Sequence, residues 1–386
     1  MSNRALSRRL VTVSAVVLAT LVIPSGLAQA APSPIEPART IVLEGSPAQG
    51  LLSPDGSRLY VPMDRVSADG QQLDGRLTVI DTGTDTVVGS IPVGRMPRFA
   101  SLTPDGTRAY VPSYMNGDIS VVDLASQSVV TTIPTGGTPA YAVINPAGTK
   151  VYVPGITTDV VFVIDTATNT VTKAITAGPH PQAIVFSPDG SRAYVTARDA
   201  NAVQVIDTAT ESVLATIAVG KRPIRPALNP SGTRLYVPNY EGDSVSVINT
   251  GTLQVVQTIK VGKGPIPPVI NAKGTRMWVG NESDGTVTEV NLKARAGANP
   301  VVRTIKVGKR PSFALLNARG DTLYVTNQGS SSLSGICTAT GKVTKKFTTG
   351  DGPRQIVGGP ALYSIDQTGN RISVFTAARL GSGACS

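Results

Sequence analysis

Histidine and cysteine, the residues that most often carry catalysis or bind transition metals, are scarce in this sequence. His180 is the only histidine, and Cys337 and Cys385 are the only cysteines among 386 residues. This scarcity excludes a histidine-rich metal site, and the lack of a Cys-x-x-Cys-His motif excludes covalently attached haem. No nucleophile elbow, phosphate-binding loop or EF-hand pattern is present. The sequence therefore predicts no resident metal and no cofactor.

Basic residues are concentrated in a recurring motif, Gly-x-x-Pro, and in the residues that follow it. Acidic residues are nearly absent there, with Asp351 as the exception. Basic groups interleaved with aromatic rings suit a polyanion or an aromatic anion, through charge pairing and stacking. The alternative is that these residues only keep a loop-rich face soluble. The candidate binding residues are Arg95, Arg98, Phe99, Tyr141, His180, Lys221, Arg222, Arg225, Lys263, Lys309, Arg310, Phe313 and Arg354.

Two further groups of oxygen-bearing residues could be taken for ligands. Met63-Asp64-Arg65, with Asp69 and Asp74, could form a cation site, but its spacing matches no calcium loop and predicts a solvated acidic loop. The repeated Asp-Thr-x-Thr segments predict hairpin turns, because Asp and Thr oxygens accept hydrogen bonds from nearby backbone N–H groups.

The elements that must position these residues belong to an internal repeat of 42 residues. The motif glycine falls at Gly94, Gly136, Gly178, Gly220 and Gly262 at that spacing. Each unit contains four short runs of alternating apolar residues separated by turn residues, the pattern of four antiparallel strands, a to d. Such a sheet cannot bury both faces alone, so neighbouring sheets must stack. The repeat predicts an all-β fold, a single β-propeller of four-stranded antiparallel blades.

The repeat resembles the YVTN-type β-propeller repeat of secreted and surface-layer proteins. Ser-Pro-Asp-Gly-x-x-x-Tyr-Val, Val-x-Val-Ile-Asp-Thr-x-Thr and Val-Gly-x-x-Pro carry the resemblance over about residues 40–376. The resemblance implies a scaffold that binds a ligand or partner. Lactonase-like and lyase-like enzymes are found on related propellers, and propellers of this group often have seven blades. The sequence departs by reading Tyr-Val-Pro at four positions, which predicts that strand b ends at Pro62, Pro112, Pro154 and Pro238.

The two ends of the repeat region complement each other. Arg39–Leu43 matches a strand d with no preceding a, b or c, and the last repeat supplies a, b and c without d. The N-terminal strand is therefore predicted to complete the final blade, which removes a free sheet edge. Counting the sets of strands a, b and c favours eight blades over seven. The predicted propeller spans residues 39–378, followed by a C-terminal tail, 379–386.

The N-terminus has the features of an export signal. Basic Arg4, Arg8 and Arg9 precede an apolar segment, and Ala28-Gln29-Ala30 resembles a cleavage site. Residues 1–30 are thus predicted to be a signal peptide and residues 31–38 a Pro-rich extended leader. The predicted product is a monomer without a membrane span, secreted, at the cell surface, or periplasmic if an outer membrane exists. Its net charge falls from +10 to +7, which favours anionic partners.

An exported protein with two cysteines is expected to form a disulfide. Cys337 occupies the position that Asp takes at the end of other c strands, and Cys385 follows the last strand. The oxidising compartment favours a bond between them, which would fix the tail to a neighbouring blade, and two free thiols are the alternative.

Two functions remain open on the sequence alone. The preferred hypothesis is a binding or scaffold protein whose basic rim contacts an anionic polymer, a nucleic-acid strand or an acidic protein surface. The alternative is a lyase or lactonase-like enzyme at the channel mouth, with His180 as general base and Arg222 or Arg225 stabilising an oxyanion. A shared fold is weak support for the enzyme.

Overall fold

The alternating apolar runs and their turns form four-stranded antiparallel sheets. The computed structural model describes residues 33–66, 72–295 and 297–380, and within them lie eight such sheets, the blades of one β-propeller. The prediction of eight blades is confirmed, and the alternative of seven is wrong. The propeller is one unit beginning at Pro34.

Each blade is a meander whose first strand lies towards the centre of the ring and whose fourth is the most exposed. In the first blade, strand a is split into two short pieces that both pair with the next strand. Blades 1 to 4 comprise β2 (Ser46–Pro47), β3 (Leu51–Leu52), β4 (Arg58–Val66), β5 (Gln72–Asp81) and β6 (Thr86–Val93); β7 (Ser101–Leu102), β8 (Arg108–Ser113), β9 (Asp118–Asp123) and β10 (Ser128–Pro134); β11 (Val143–Ile144), β12 (Lys150–Gly155), β13 (Val160–Asp165) and β14 (Thr170–Thr176); β15 (Pro181–Phe186), β16 (Arg192–Ala197), β17 (Ala202–Asp207) and β18 (Ser212–Ala218).

The second half of the ring repeats this arrangement, and its last blade recruits the first strand of the chain. Blades 5 to 8 comprise β19 (Ala227–Leu228), β20 (Arg234–Asn239), β21 (Ser244–Asn249) and β22 (Gln254–Lys260); β23 (Val269–Ile270), β24 (Arg276–Asn281), β25 (Thr286–Asn291) and β26 (Val301–Lys306); β27 (Pro311–Leu316), β28 (Thr322–Asn327), β29 (Ser332–Cys337) and β30 (Val343–Thr348); β31 (Pro353–Gly358), β32 (Leu362–Asp366), β33 (Arg371–Phe375) and β1 (Arg39–Val42).

The core is divided among the interfaces between blades. Each of eight clusters of buried apolar residues joins two neighbouring sheets. The aromatic residue of strand b lies in these interfaces; Tyr110, for example, packs with Val151 and Val153 of the next blade and donates from its hydroxyl to Asn169 Oδ1 at 2.7 Å. Stacking of sheets therefore supplies the burial that one sheet lacks.

Strand β1 closes the ring as predicted. It pairs antiparallel with β33, with Thr40 opposite Ser373 and Ile41 opposite Ile372. Ile41 and Leu43 are buried between the last blade and the first, where they contact a cluster that contains Leu59. The segment before β1, predicted as an extended leader, makes one contact that the sequence did not indicate: the backbone of Ile35 pairs with that of Phe347.

The turns follow the predicted chemistry. Gly56 adopts a φ of 74° in the first Pro-Asp-Gly turn, and its N–H donates to the Ser53 carbonyl at 2.9 Å. In the Asp-Thr-x-Thr turns the Asp side chain accepts backbone hydrogen bonds; Asp81 Oδ1 is 2.9 Å from the N atoms of Gly83 and Thr84. The interpretation of these residues as turn formers is confirmed.

The prediction that strand b ends at the Tyr-Val-Pro proline is wrong. Strand β8 continues one residue beyond Pro112, and β4 runs to Val66, four residues beyond Pro62. The carbonyl of Pro112 accepts from the Arg98 N–H at 3.0 Å, so its nitrogen also faces strand a. Beside Pro112, strand a pairs with strand b only through an isolated bridge, between Pro97 and Ser113. The absence of an N–H on Pro112 therefore interrupts no regular ladder of hydrogen bonds.

Helical structure is minimal among the described residues. It consists of a 3-10 turn, Gln328–Ser330, and one short helix, α1 (Ala377–Leu380). Within these same residues, no helix has the length and apolarity needed to cross a bilayer. The predicted signal peptide, 1–30, lies outside the described residues, as do residues 381–386 of the tail.

A buried carboxylate stands near the ring closure. Asp366 ends strand β32 at the position that Asn239, Asn281 and Asn327 occupy in blades 5 to 7, and it is fully buried. It accepts hydrogen bonds from the Gly350 N–H at 2.8 Å and from the hydroxyls of Ser364 and Ser373, each at 2.6 Å. Burial nevertheless raises the pKa of Asp366, because desolvation disfavours its charged form more than these donors favour it.

We predict that the closing strand is held mainly by its buried side chains. Replacing Ile41 by Ala should lower the free energy of unfolding by about 2–4 kcal/mol, since it removes buried apolar surface and leaves a cavity. Val42→Ala is the matched control, because Val42 is 77% exposed and the change should stay within about 0.5 kcal/mol. Urea unfolding measures both. Equal effects would contradict closure by side-chain burial.

The second prediction concerns Asp366→Asn. The raised pKa means that the folded protein binds the proton of Asp366 more tightly than the unfolded chain does. The corresponding stability is present below the ordinary Asp pKa and is lost as the pH rises through the raised value. The non-titrating amide should therefore stabilise the protein at neutral pH, by roughly 1–2 kcal/mol, with a smaller gain in acid. Denaturant midpoints across pH measure this, and a gain that grows towards acid would contradict it.

Candidate functional site

A cavity of about 590 Å³ opens at the mouth of the central channel. Three recurring positions of the blades line it: the residue that follows strand b, the residues that begin strand a, and the residue before the proline of Gly-x-x-Pro. The lining residues are Phe99, Tyr141, Gln182, Arg198, Arg222, Ile224, Arg225, Tyr240, Ile266, Pro267, Glu282, Ser312, Phe313, Gln328, Arg354 and Gln355.

The Gly-x-x-Pro loops are fixed to the end of strand b. The N–H of Gly220 donates to Oδ1 of the fully buried Asn239 at 3.0 Å, and the amide of Asn239 donates to the hydroxyls of Ser244 and Ser246. A Cβ at Gly220 would lie 2.5 Å from the Asn239 side chain, so only glycine fits there. Gly262 and Gly308 repeat this contact with Asn281 and Asn327. The loops around the cavity are therefore held by buried hydrogen bonds.

In six blades the residue before the motif proline has a positive φ angle. His180, Arg222 and Arg310 have φ values of 54°, 55° and 51°, whereas Gly264 and Gly352 fill the position in other blades. Left-handed backbone is unfavourable for residues with a Cβ, and it persists where the surroundings impose it. The side chains of His180, Arg222 and Arg310 each contact a residue of a b–c loop.

Blades 5 to 7 contribute a connected polar wall. Arg222 pairs with Glu241 and lies over the ring of Tyr240, 5.7 Å from its centroid. The Tyr240 hydroxyl donates to Glu282 Oε2 at 2.9 Å, and the Arg310 guanidinium donates to Glu282 Oε1 at 3.1 Å. These contacts orient Glu282, whose carboxylate is the one acidic group among the lining residues that the structure describes.

Tyr240 is a hydrogen-bond donor within this wall. Burial raises the pKa of Tyr240, and its hydrogen bond to Glu282 raises the pKa further, because a carboxylate opposes formation of the phenolate. The hydroxyl therefore keeps its proton at neutral pH and holds one oxygen of Glu282.

The opposite wall is aromatic and cationic. Phe99 and Tyr141 stack in parallel, with ring centroids 4.4 Å apart, and Arg354 lies over Phe99 at 5.4 Å. Arg354 donates to Gln367 Oε1 at 3.0 Å. Burial lowers the pKa of Arg354, and the nearby charge of Arg98 adds to this effect. A guanidinium nevertheless stays charged at neutral pH. This wall offers a flat apolar surface beside a cation.

Three arginines in the cavity lack an acidic partner. Among the described residues, no carboxylate lies within ion-pair distance of Arg198, Arg225 or Arg354, whereas Arg222 and Arg310 are paired with Glu241 and Glu282. An unpaired cation in a partly enclosed site is available to an anionic ligand. The cavity can therefore receive a carboxylate, a phosphate or an oxyanion.

His180 does not line the cavity. Its Nδ1 is 3.5 Å from Asp199 Oδ2, and its Nε2 is 3.2 Å from a guanidinium nitrogen of Arg198. From this blade, Gln182 and Arg198 line the cavity.

The structure divides the candidate binding residues into two groups. Residues of the b–c loops supply carboxylates that neutralise part of the basic rim. The sequence analysis considered the charges of the Gly-x-x-Pro loops alone and therefore missed this pairing. The cavity is lined by Phe99, Tyr141, Arg222, Arg225, Phe313 and Arg354, whereas Arg95, Arg98, His180, Lys221, Lys263, Lys309 and Arg310 lie outside its lining.

Sequence reasoning overlooked Arg198 and Glu282, which stand at the position that follows strand b. Arg198, Tyr240 and Glu282 occupy it at intervals of 42 residues, and Gln328 occupies it after the insertion in blade 6. When the repeats are aligned on the strand-b valine three residues earlier (Val195, Val237, Val279 and Val325), this column varies in chemistry while the valine stays constant. That variation was the available signal.

Two other sequence hypotheses concern ligands and cross-links. Asp74 is ion-paired with Arg76 at 2.6 Å and with Arg65 at 3.6 Å, and the described residues contain no acidic or His/Cys cluster suited to a metal; Asp69 lies outside them. Cys337 is buried and is not a free cysteine. Cys385 lies outside the described residues, so the Cys337–Cys385 bond stays a prediction.

Comparison with known proteins gives one family and many similar folds. The profile of the family described as "Lactonase, 7-bladed beta-propeller" matches residues 34–309. A search of curated protein sequences gives no match.

Among solved structures, this chain is similar to Kuenenia stuttgartiensis hydrazine synthase (23% identity, TM-score 0.60, 77% of this chain and 96% of that chain). It is also similar to a proposed 6-phosphogluconolactonase from Bacteroides uniformis (18%, 0.57, 74% and 94%). A third is the dihydro-heme d1 dehydrogenase NirN in complex with DHE (15%, 0.62, 75% and 66%). At these identities the similarity shows the fold alone.

The contact between Tyr240 and Glu282 can be tested by titration. Glu282→Gln removes the charge that opposes ionisation of the phenol, so the pKa of Tyr240 should fall towards its ordinary value, while the effect of burial remains. The phenolate absorbance of each protein, minus that of the same protein carrying Tyr240→Phe, isolates this residue from the other tyrosines. An unchanged or higher Tyr240 pKa in Glu282→Gln would contradict the contact.

Proposed function

We propose that this chain, which belongs to the lactonase family of β-propellers, is a lactonase-like enzyme that opens an anionic lactone in the cavity at the channel mouth. The family description specifies seven blades, whereas the described residues of this chain form eight. The proposal therefore depends on the cavity and does not follow from the fold alone.

The observation that carries the proposal is the charge arrangement in the cavity. One carboxylate, Glu282, shares the site with three arginines that have no acidic partner among the described residues, Arg198, Arg225 and Arg354. Ester opening needs a proton acceptor for the attacking water and donors for the charge that develops on the carbonyl oxygen. This cavity contains both kinds of group.

The reaction can be written with these groups alone. Water attacks the lactone carbonyl while Glu282 takes one of its protons, and the carbonyl oxygen becomes an oxyanion that an arginine stabilises. When the intermediate collapses, the bond from the carbonyl carbon to the ring oxygen breaks, and Glu282 returns the proton to that oxygen. The product is the hydroxy acid. Tyr240 and Arg310 hold Glu282 in place during these steps.

This proposal changes the roles that the sequence suggested. His180, expected to act as the base, faces Arg198 and Asp199, and Arg222, one of the two arginines expected at the oxyanion, is paired with Glu241. Arg225, the other, lines the cavity without an acidic partner. We therefore assign the base to Glu282 and the oxyanion contact to Arg225.

The scaffold hypothesis has less support. Carboxylates of the b–c loops pair with Arg222 and Arg310, which reduces the positive charge that the rim offers to a polyanion. Binding of an anionic polymer, a nucleic-acid strand or an acidic protein surface stays a prediction. So do export of the protein, its monomeric state and the finer resemblance to YVTN-type propellers.

The proposal is tested by measuring lactone opening above the spontaneous rate. With 6-phosphogluconolactone, Glu282→Gln should lower kcat by about 100-fold or more, since it removes the proton acceptor. Arg225→Met should raise KM or lower kcat by about tenfold, because it removes a charge-assisted contact. Gluconolactone, the uncharged counterpart, should be the poorer substrate.

Lys263→Met provides the matched control, because Lys263 is a rim cation outside the cavity lining and its removal should leave turnover unchanged. Full activity in Glu282→Gln would contradict the assignment of the base. If no anionic lactone is opened, and the protein instead binds a polyanion with an affinity that falls steeply with salt, the scaffold hypothesis gains the support.

A further inference from the structure

A line of three side chains in blade 4 leads from the rim to the cavity. Asp199 Oδ2 is 3.5 Å from His180 Nδ1, His180 Nε2 is 3.2 Å from a guanidinium nitrogen of Arg198, and Arg198 lines the cavity. Asp199 is largely exposed, with 60% of its side chain accessible, whereas His180 is 25% accessible. The imidazole thus lies between a solvated carboxylate and a cation that faces the ligand site.

The chemistry of arginine selects the tautomer in which a neutral His180 imidazole can make this contact. A guanidinium only donates hydrogen bonds, so the imidazole Nε2 must accept. The imidazole proton is then on Nδ1, where it faces the Asp199 carboxylate. This is the arrangement in which a carboxylate sets the tautomer of a histidine and the other ring nitrogen acts on a functional group.

Backbone contacts fix the position of the imidazole. The His180 N–H donates to Asp159 Oδ1 at 3.1 Å, and the Arg198 N–H donates to the His180 carbonyl at 3.0 Å. His180 has a φ of 54° at a position where Gly264 and Gly352 stand in other blades. Left-handed backbone is unfavourable for a residue with a Cβ, so the surroundings hold His180 in this conformation.

Arg198 depends on this contact. Among the described residues it has no carboxylate partner, and His180 is the side chain to which it is hydrogen-bonded. A long arginine side chain without a partner samples many rotamers, and ordering it on binding reduces affinity.

We propose that His180, oriented by Asp199, is a positioning residue that holds the Arg198 guanidinium in the cavity, where Arg198 receives an anionic group of the ligand. This deepens the proposed function, because the anionic ligand is taken from it. The role differs from that of a base, since His180 acts through Arg198 and does not contact the reacting atoms.

The test uses sulfate as the probe, measured by calorimetry on the full chain at mildly alkaline pH. Arg198→Met should raise the Kd for sulfate about tenfold. The Kd of His180→Leu should lie within about threefold of the Kd of Arg198→Met. In the double variant the losses should not add, because both changes remove one interaction. His180→Gln should retain binding within about threefold of the unchanged protein, since a neutral amide oxygen can accept from Arg198.

Lys263→Met is the control for loss of one rim charge and should leave sulfate binding unchanged. Additive losses in the double variant, a His180→Gln protein as weak as His180→Leu, or no sulfate binding in the unchanged protein would each overturn the proposal. If His180→Leu fails to fold, His180→Gly takes its place, because glycine suits the left-handed backbone there and also removes the acceptor for Arg198; sulfate binding by His180→Gly as tight as that of the unchanged protein would overturn the proposal. Sulfate binding requires no turnover, so absence of lactonase activity would reject the proposed function without affecting this result.

Discussion

Each blade has two apolar faces, and it can bury them only between two neighbouring blades. This constraint governs the structure, because a row of sheets would leave both end faces in water, whereas a ring leaves none. Burial of apolar surface contributes about 25 cal/mol per Å², so an uncovered blade face would be costly. The ring closes when β1 joins β33, which places Ile41 and Leu43 in the interface between the last blade and the first. Strand β1 and the last blade are thereby incorporated into one core.

The same closure creates the cavity that is the candidate site. Stacked blades bring the beginnings of their first strands to the channel mouth, where loops from successive blades face one another around a cavity. Buried asparagines fix these loops from below, as Asn239 fixes Gly220. The wall is therefore built on rigid elements, and its side chains can differ from blade to blade without affecting the fold. A repeat protein of this kind specialises by changing a few positions on a constant frame.

Ion pairs between loops neutralise part of the positive charge on the rim. Carboxylates of the b–c loops pair with arginines of the neighbouring loops, as Glu241 does with Arg222 and Glu282 with Arg310. Those pairs are partly exposed, and their main effect is to orient side chains, since pairs of this kind contribute little stability. Arg225 and Arg354 are left without such partners among the described residues, so part of the unpaired positive charge lies inside the cavity. An unpaired cation in a partly enclosed site can bind a small anion.

The sequence by itself determined the blade, its turns, the number of blades and the strand that closes the ring, because all of these follow from local periodicity and from a count of strands. It also predicted candidate binding residues on the Gly-x-x-Pro loops, of which Phe99, Tyr141 and Arg225 line the cavity. Only the tertiary structure decided which rim residues face the cavity, that Glu282 is the carboxylate there, and that His180 contacts Arg198. It also decided that strand b continues past Pro112, because the neighbouring strand leaves no ladder to break at that level. These outcomes depend on contacts between loops that are far apart in sequence or in different blades, such as Tyr240 with Glu282, and such contacts are set by the stacking of blades, which no single repeat encodes.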